Sequence, residues 1–382
     1  MKIVYIISSI RKMSGIERMF VSQINYLADH YGYDVTLLTY EQGDAPFVYD
    51  VSYRIKHIDY NVKMFKSYKF SLLRRIFLLS KWQLGLWKKM RATIKELHPD
   101  IVVCSSYSIA EMLFVLSLRR IKSVVQVHSN YYQSGGRLKR HNREGLLRRL
   151  YCRCIAFYIV VLLVRQFDKI VVLTKGDAAK WRRPQVCVIP NPVVVASPIH
   201  NIQRKNRILA IGNLHLSKGF DLLLDAWSLI YQTHTDWELE ITGQGEEEHS
   251  LREQIQKMNK VRIVSPTIQI AERYQYGSIF VFSSRFEGFG LVLLEAMSFG
   301  LSCVAFDCDF GPREIITDGE DGYLVPSGDV EALAERIDYL IRHPEERERL
   351  GRNAIEKSKQ FNIDKIMTKW RNLYESLSGE DL

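Results

Sequence analysis

The chain contains no apolar run long enough to cross a bilayer. Its longest, Ile155 to Val164, is far short of the roughly 20 residues that a spanning helix needs. The opening MKIVYIISSIRK is apolar for only about eight residues before it turns basic, so it reads as a first buried strand rather than a secretion signal. Cysteine is sparse, at six residues in the 382-residue chain. Cys152 and Cys154 stand closer than the two-to-four-residue gap of a zinc pair, and no second Cys or His pair has suitable spacing. Neither a zinc site nor a disulfide framework is expected, and reduced thiols in a cytoplasmic protein are. Gly243-Gln244-Gly245 lacks the third glycine of a dinucleotide fingerprint, which argues against NAD.

Acid is the other absence. No Asp or Glu lies between Asp59 and Glu96, from Met112 to Arg143, or from Gly145 to Phe167. Residues 1–197 carry 32 Lys and Arg against 13 Asp and Glu, and the remainder carries 21 against 30. One half is therefore strongly basic and the other mildly acidic. A basic half suits an anionic surface. Residues 60–98 interleave Lys and Arg with Phe65, Phe70, Leu73, Phe77, Trp82 and Trp87, the pattern of a basic amphipathic segment able to lie on an anionic membrane. A surface helix whose apolar stripe packs on its own domain has the same pattern. No nucleic-acid-binding motif is present, so nucleic acid is not expected as a partner.

What is present is a repeated strand–loop–helix pattern. Lys2 to Ile7 reads as a strand, Ser8 to Ser14 as a loop with Gly15 after it, and Ile16 to His30 as a helix. Val35–Thr39, Ile101–Ser105, Val124–His128, Lys169–Thr174 and Val186–Ile189 read as further strands. Pro190-Asn191-Pro192 and the polar stretch after it mark a boundary, and a second strand–helix series starts at Arg207. At 382 residues two domains are expected: 1–195, joined by a returning C-terminal helix within 362–382, and 196–361. The fold class is α/β, with two doubly wound Rossmann-like domains facing a cleft, and ligands are expected at the carboxyl ends of the strands.

The densest chemistry lies in Ser278–Val325. The strand Ile279–Phe282 runs into Arg285-Phe286-Glu287-Gly288-Phe289-Gly290 and then a helix from Leu291 to Phe299 that carries Glu295. Upstream stands Gly212-Asn213, followed by Lys218-Gly219-Phe220-Asp221, and downstream Gly311-Pro312-Arg313-Glu314. Together with Asp321-Gly322-Tyr323, and more loosely with Ser14-Gly15-Ile16-Glu17-Arg18, His128 and Ile189-Pro190-Asn191-Pro192, these segments resemble glycosyltransferase family 4.

The resemblance implies a retaining, nucleotide-sugar-dependent enzyme of the GT-B fold, with UDP as the expected carrier and a saccharide, lipid-linked in surface polysaccharide (capsule, O-antigen or lipopolysaccharide) assembly, as the acceptor. It implies that Glu295 accepts the ribose hydroxyls and that Glu287, with the backbone of Gly288, Phe289 and Gly290, holds the transferred sugar. His128 would touch that sugar from the opposite domain, and Thr267 would read the base. Lys218, Asn213 and the helix starts at Gly15 and Leu291 would face the diphosphate, whose growing negative charge needs a cation or oriented N–H groups. Catalytic roles thus fall on Glu287, His128 and Lys218.

Two positions depart from the family pattern. Asn213 stands where Arg is usual, so part of the diphosphate stabilisation is expected from Lys218, the helix termini or another cation such as Arg18 or Arg285. Gly290 stands where Pro is frequent, which is expected to loosen the turn. Asp307-Cys308-Asp309 has the form of the metal-holding pair of a different glycosyltransferase fold, but it stands here as a strand-to-helix turn, and no metal or other cofactor is expected. A nucleotide-sugar epimerase of the same fold, or a non-catalytic membrane-bound homologue, would carry much of the same framework. The glutamate pair with Gly-Pro-Arg-Glu weighs against the first, and the intact Glu287, Glu295 and Lys218 against the second. A place on the inner face of the cell membrane is expected from the basic segment.

Overall fold

The computed structural model describes residues 1–11, 14–62, 72–106, 108–128, 157–194, 204–256 and 258–379. Among them, two parallel sheets each carry helices on both faces. The first sheet has strand order β3-β2-β1-β4-β5-β6-β7, built from β1 (Lys2–Ile7), β2 (Asp34–Thr39), β3 (Lys56–Asp59), β4 (Ile101–Ser105), β5 (Lys122–Gln126), β6 (Lys169–Val172) and β7 (Val186–Val188). The second has order β10-β9-β8-β11-β12-β13, from β8 (Arg207–Ile211), β9 (Glu238–Thr242), β10 (Val261–Val264), β11 (Ile279–Phe282), β12 (Ser302–Asp307) and β13 (Tyr323–Pro326). In each sheet the order reverses beside the first strand, between β1 and β4 and between β8 and β11. At such a point the loops leaving the two strands diverge and open a crevice.

Burial on both faces explains why the strands read as unbroken apolar runs. Ile3 and Tyr5 enter one core while Val4 and Ile6 enter the other. The first core takes α1 (Gly15–Asp29) and α13 (Ile363–Ser378). The second takes α2 (Leu72–Leu97), α3 (Ile109–Leu116), α4 (157–164) and α5 (Lys175–Trp181). In the second sheet, α6 (Phe220–Ile230), α7 (Glu248–Ile255) and α11 (Val330–Arg342) cover one face. The other face carries α8 (Ile270–Tyr276), α9 (Leu291–Ser298), α10 (Pro312–Ile315) and α12 (Pro344–Ser358).

Four short elements escape the sequence pattern. β3 is a four-residue edge strand, and α3, α5 and α8 span eight, seven and seven residues, too short to display a helical period. The basic segment also differs from expectation. Leu86, Met90 and Ile94 are buried against the first sheet, so the apolar stripe of this part of α2 covers its own core instead of facing a membrane. Residues 63–71 of that segment lie outside the described residues, as do Cys152 and Cys154.

The last helix ties the end of the chain to its beginning. Asn362 bridges Val193, and α13 then buries Ile366, Met367, Trp370, Leu373 and Tyr374 in the core beneath β1. Tyr374 and Tyr5 share a 2.6 Å hydrogen bond, and the Gln23 amide donates to Tyr5 Oη at 3.0 Å. Removing Trp370 empties a site that only this helix fills. Trp370→Ala is expected to cost about 3–5 kcal/mol, measured by chemical denaturation of the first sheet's tyrosine and tryptophan signal.

Candidate active site

Every residue that the sequence pattern singles out in the second half follows a strand's carboxyl end. Asn213 and Lys218 follow β8, Thr267 follows β10, and Glu287 to Leu291 follow β11. β8 and β11 are neighbours at the reversal of strand order, so their two loops meet. Lys218 Nζ donates to Glu287 Oε2 at 2.5 Å across that meeting, and Ser284 Oγ donates to the same oxygen at 3.3 Å.

The loops are stitched by more than this pair. Arg285 holds Asp221 through two hydrogen bonds of 2.6 and 2.8 Å, and also donates to the Leu216 carbonyl at 2.9 Å. Burial raises the Asp221 carboxyl, but Arg285 outweighs it and holds the group below its ordinary range. Arg285 is therefore committed to the scaffold, which corrects the expectation that it supplies charge to the site. Ser283 Oγ donates to the Lys218 carbonyl at 3.0 Å. Gly219, at φ +61°, sits where a Cβ would lie 2.0 Å from the Ser283 carbonyl oxygen, so only glycine allows this approach.

Gly290 caps α9 at φ 104°, ψ 51°, and no side chain caps this helix. Proline, locked near −65°, cannot adopt that conformation. The turn is thus specific for glycine, rather than a loosened version of a proline turn. Phe289 points into the apolar core against Phe361, with ring centroids 5.9 Å apart, so only its backbone can face a ligand. Asn213 is exposed. Thr267 Oγ1 accepts from the Gln269 N–H at 3.0 Å, closing the turn before α8. Asp307 is held by Arg313 through bonds of 2.9 and 2.6 Å.

Glu295 has no exposed surface. Its Oε1 accepts from Arg18 on α1, in the opposite half of the chain, and its Oε2 from the Tyr274 hydroxyl at 2.8 Å. Burial raises its carboxyl, and Arg18 and Tyr274 pull it back. The starts of α1 and α9 touch, since a Cβ on Gly15 would lie 3.4 Å from Leu291 Cδ2. A second contact joins the halves: the Gly176 N–H at the start of α5 donates to Glu314 Oε1 at 2.9 Å, while Phe310, at φ +75°, packs on Gly176.

His128 lies two residues beyond β5, in a small cavity lined by Gln23, Gln126, Leu173 and Asn191. Burial pushes its imidazole down to about 4. Sequence reading missed Tyr274, which sits alone in a short polar helix with no motif to mark it. It also missed Glu111, which accepts from the Tyr40 hydroxyl at 2.6 Å beside β4 and is raised by burial to about 8.

Two family models meet within this chain. Residues 13–197 match glycosyltransferase family 4 and residues 196–357 match the glycosyl transferases group 1. The chain belongs to glycosyltransferase family 4. Among its relatives is an uncharacterized glycosyltransferase of Haemophilus influenzae, 29% identical over 97% of this chain and 99% of that protein. The amylovoran biosynthesis glycosyltransferase AmsD of Erwinia amylovora is 26% identical over 97% of this chain and 99% of its own length. Among solved structures, HepE from Anabaena in complex with UDP and glucose superposes with a TM-score of 0.73 at 16% identity, covering 98% of this chain and 100% of that one. The two facing Rossmann-like sheets are the GT-B fold of these transferases.

The His128 environment has a measurable consequence. Its folded value lies below the ordinary 6.5, so the unfolded chain takes up the proton first as pH falls. The contribution is present above about 6.5 and is lost as pH drops towards 4. Imidazole NMR should give a His128 midpoint near 4, and His128→Gln should flatten the loss of stability between pH 6.5 and 4.

Proposed function

We propose that this glycosyltransferase moves a sugar, with retention at the anomeric carbon, from a UDP-linked donor to a lipid-linked saccharide during surface polysaccharide assembly. The observation that carries the reading is the Lys218–Glu287 pair, which spans the loops after β8 and β11 at the strand reversal. A cation, a carboxylate and two touching helix starts converge there, the set that a departing diphosphate and its sugar require.

In this reading Lys218 and the N–H groups after Gly290 and near Gly15 take the growing phosphate charge. Asn213 offers the phosphates a hydrogen bond without charge. Glu287 and the backbone of Gly288 to Gly290 hold the sugar hydroxyls, Glu295 the ribose, and Thr267 the base. His128, neutral at pH 7 because burial holds it down to about 4, meets the sugar as a hydrogen-bonding group and not as a cation. The leaving phosphate accepts the acceptor's proton, so no protein base is needed and no metal is required. Support for UDP comes from HepE, whose structure contains UDP and glucose, and for the pathway from AmsD, named for amylovoran biosynthesis.

A panel of nucleotide sugars, screened by thermal shift and then by NMR of the product, tests this directly. Transfer with retained anomeric configuration and undiminished rate in EDTA is expected from a UDP-sugar. Glu287→Gln should lower kcat about a hundredfold or more. An isomerised sugar formed from donor alone would make the protein an epimerase, and a donor panel that neither shifts the melt nor reacts would remove the assignment.

The acceptor's lipid part rests on the basic half, and we place the protein at the inner face of the cell membrane on that ground. Among the described residues no helix is long and apolar enough to cross a membrane. Leu84 on α2, Leu113 on α3 and Tyr158, Ile159 and Leu162 on α4 are exposed on helices that cover one face of the first sheet. Arg91, Arg119 and Arg120 belong to the same half. Apolar side chains among positive charge suit an anionic bilayer. Flotation should be strong with vesicles containing phosphatidylglycerol and weak with phosphatidylcholine alone, and Leu162→Glu should reduce it. Equal flotation with both lipids would remove the surface charge from the account.

A further inference from the structure

We propose that Arg18 exchanges partners when the donor binds, leaving Glu295 as the ribose arrives and becoming the cation that holds the diphosphate. The proposal rests on the family reading of Glu295 as the ribose acceptor. It assigns to an arginine of the first half the charge that Asn213 cannot provide.

Among the described residues, three cations of the second half near the strand reversal are engaged. Lys218 is on Glu287, Arg285 makes two hydrogen bonds to Asp221, and Arg313 makes two to Asp307. Arg18 differs from them in two ways. Its one described partner, Glu295, is a carboxylate that the ribose would claim. Its Nε is buried and has no acceptor among the described residues, so the guanidinium holds donor capacity that the present arrangement leaves unused.

Placement favours the exchange. Arg18 lies one turn into α1 from Gly15, Glu295 lies one turn into α9 from Leu291, and the two helix starts touch. One turn is about 5 Å, so Arg18 is anchored a single turn from the N–H groups that attract phosphate. Glu295 has no exposed surface, with Oε2 on Tyr274 and Oε1 on Arg18. This carboxylate can therefore be reached by a ribose only if a neighbouring group moves, and of its two partners Arg18 is the one that belongs to the other half. A guanidinium stripped of its carboxylate in a largely buried site is costly unless another anion arrives with the event. A diphosphate brings that anion, and a nucleoside does not.

This predicts opposite effects on two ligands. Calorimetric titration of the full chain with UDP and with uridine, in wild type and in Arg18→Gln, reads them. Wild type should bind UDP far more tightly than uridine. Arg18→Gln should weaken UDP roughly ten- to a hundredfold, the worth of a charged hydrogen-bonding pair, and leave uridine unchanged or tighter because no ion pair has to be broken. Arg18→Lys, which keeps the charge, should recover part of the UDP affinity and guards against a glutamine variant that folds poorly. Equal weakening of UDP and uridine, or unchanged UDP affinity in folded Arg18→Gln, would overturn the exchange and leave Arg18 as a strut between the halves. A wild type that binds none of UDP, GDP, ADP and TDP overturns the donor reading itself, and the exchange with it.

Discussion

Glu295 lies wholly inside the protein, yet its strongest partner belongs to the other half of the chain. A carboxylate removed from water keeps its charge only where a cation and hydrogen-bond donors reach it. Arg18 and Tyr274 offset part of the burial that raises this carboxyl, and the Arg18 contact brings α1 against α9. The same contact sets Gly15 beside Leu291, so the two helix starts form one positively polarised corner. The contact between the two helix starts therefore rests on an ion pair between the halves. The Glu314 contact with the start of α5 also joins the halves.

Below this corner the architecture is rigid for a steric reason. Gly219 and the Ser283 carbonyl approach closer than any side chain would permit, and Arg285 locks the same two loops through Asp221. Lys218 and Glu287 consequently have little freedom to drift apart. The loops of the second half are fixed by their own contacts, while Arg18 of the first half reaches across to Glu295.

Much of this was legible in the sequence because it follows from local rules. A strand buried on both faces appears as an unbroken apolar run, as at Ile279–Phe282, whose ends agree with the structure residue for residue, as do those of the partly exposed Val261–Val264. The glycines around Lys218 and Glu287 stand in a spacing that marks a ligand loop before any fold is known. Short elements were not legible, since seven residues of α8 cannot establish a period, and with α8 went Tyr274. The amphipathic stretch in α2 could not be resolved by pattern. A stripe at Leu86, Met90 and Ile94 looks the same whether it meets a bilayer or a sheet, and here it meets the sheet.

By itself the sequence determined the α/β class, the two series of strands, the family and the residues that gather at the strand ends. The class and the strand series depend on composition, periodicity or spacing within a few dozen residues, whereas the family and its site residues came from the resemblance of motifs ordered along the second half. Only the tertiary structure decided which charges are spoken for. Arg18 and Arg285 are equally plausible cations in a linear reading, but one is fastened to Asp221 in its own half and the other spans the cleft to Glu295. Gly290 likewise reads as a softened proline turn until its backbone is seen at a φ of 104° that proline cannot reach. Partner choice and backbone sign are properties of residues brought together from distant parts of the chain, and no local pattern records them.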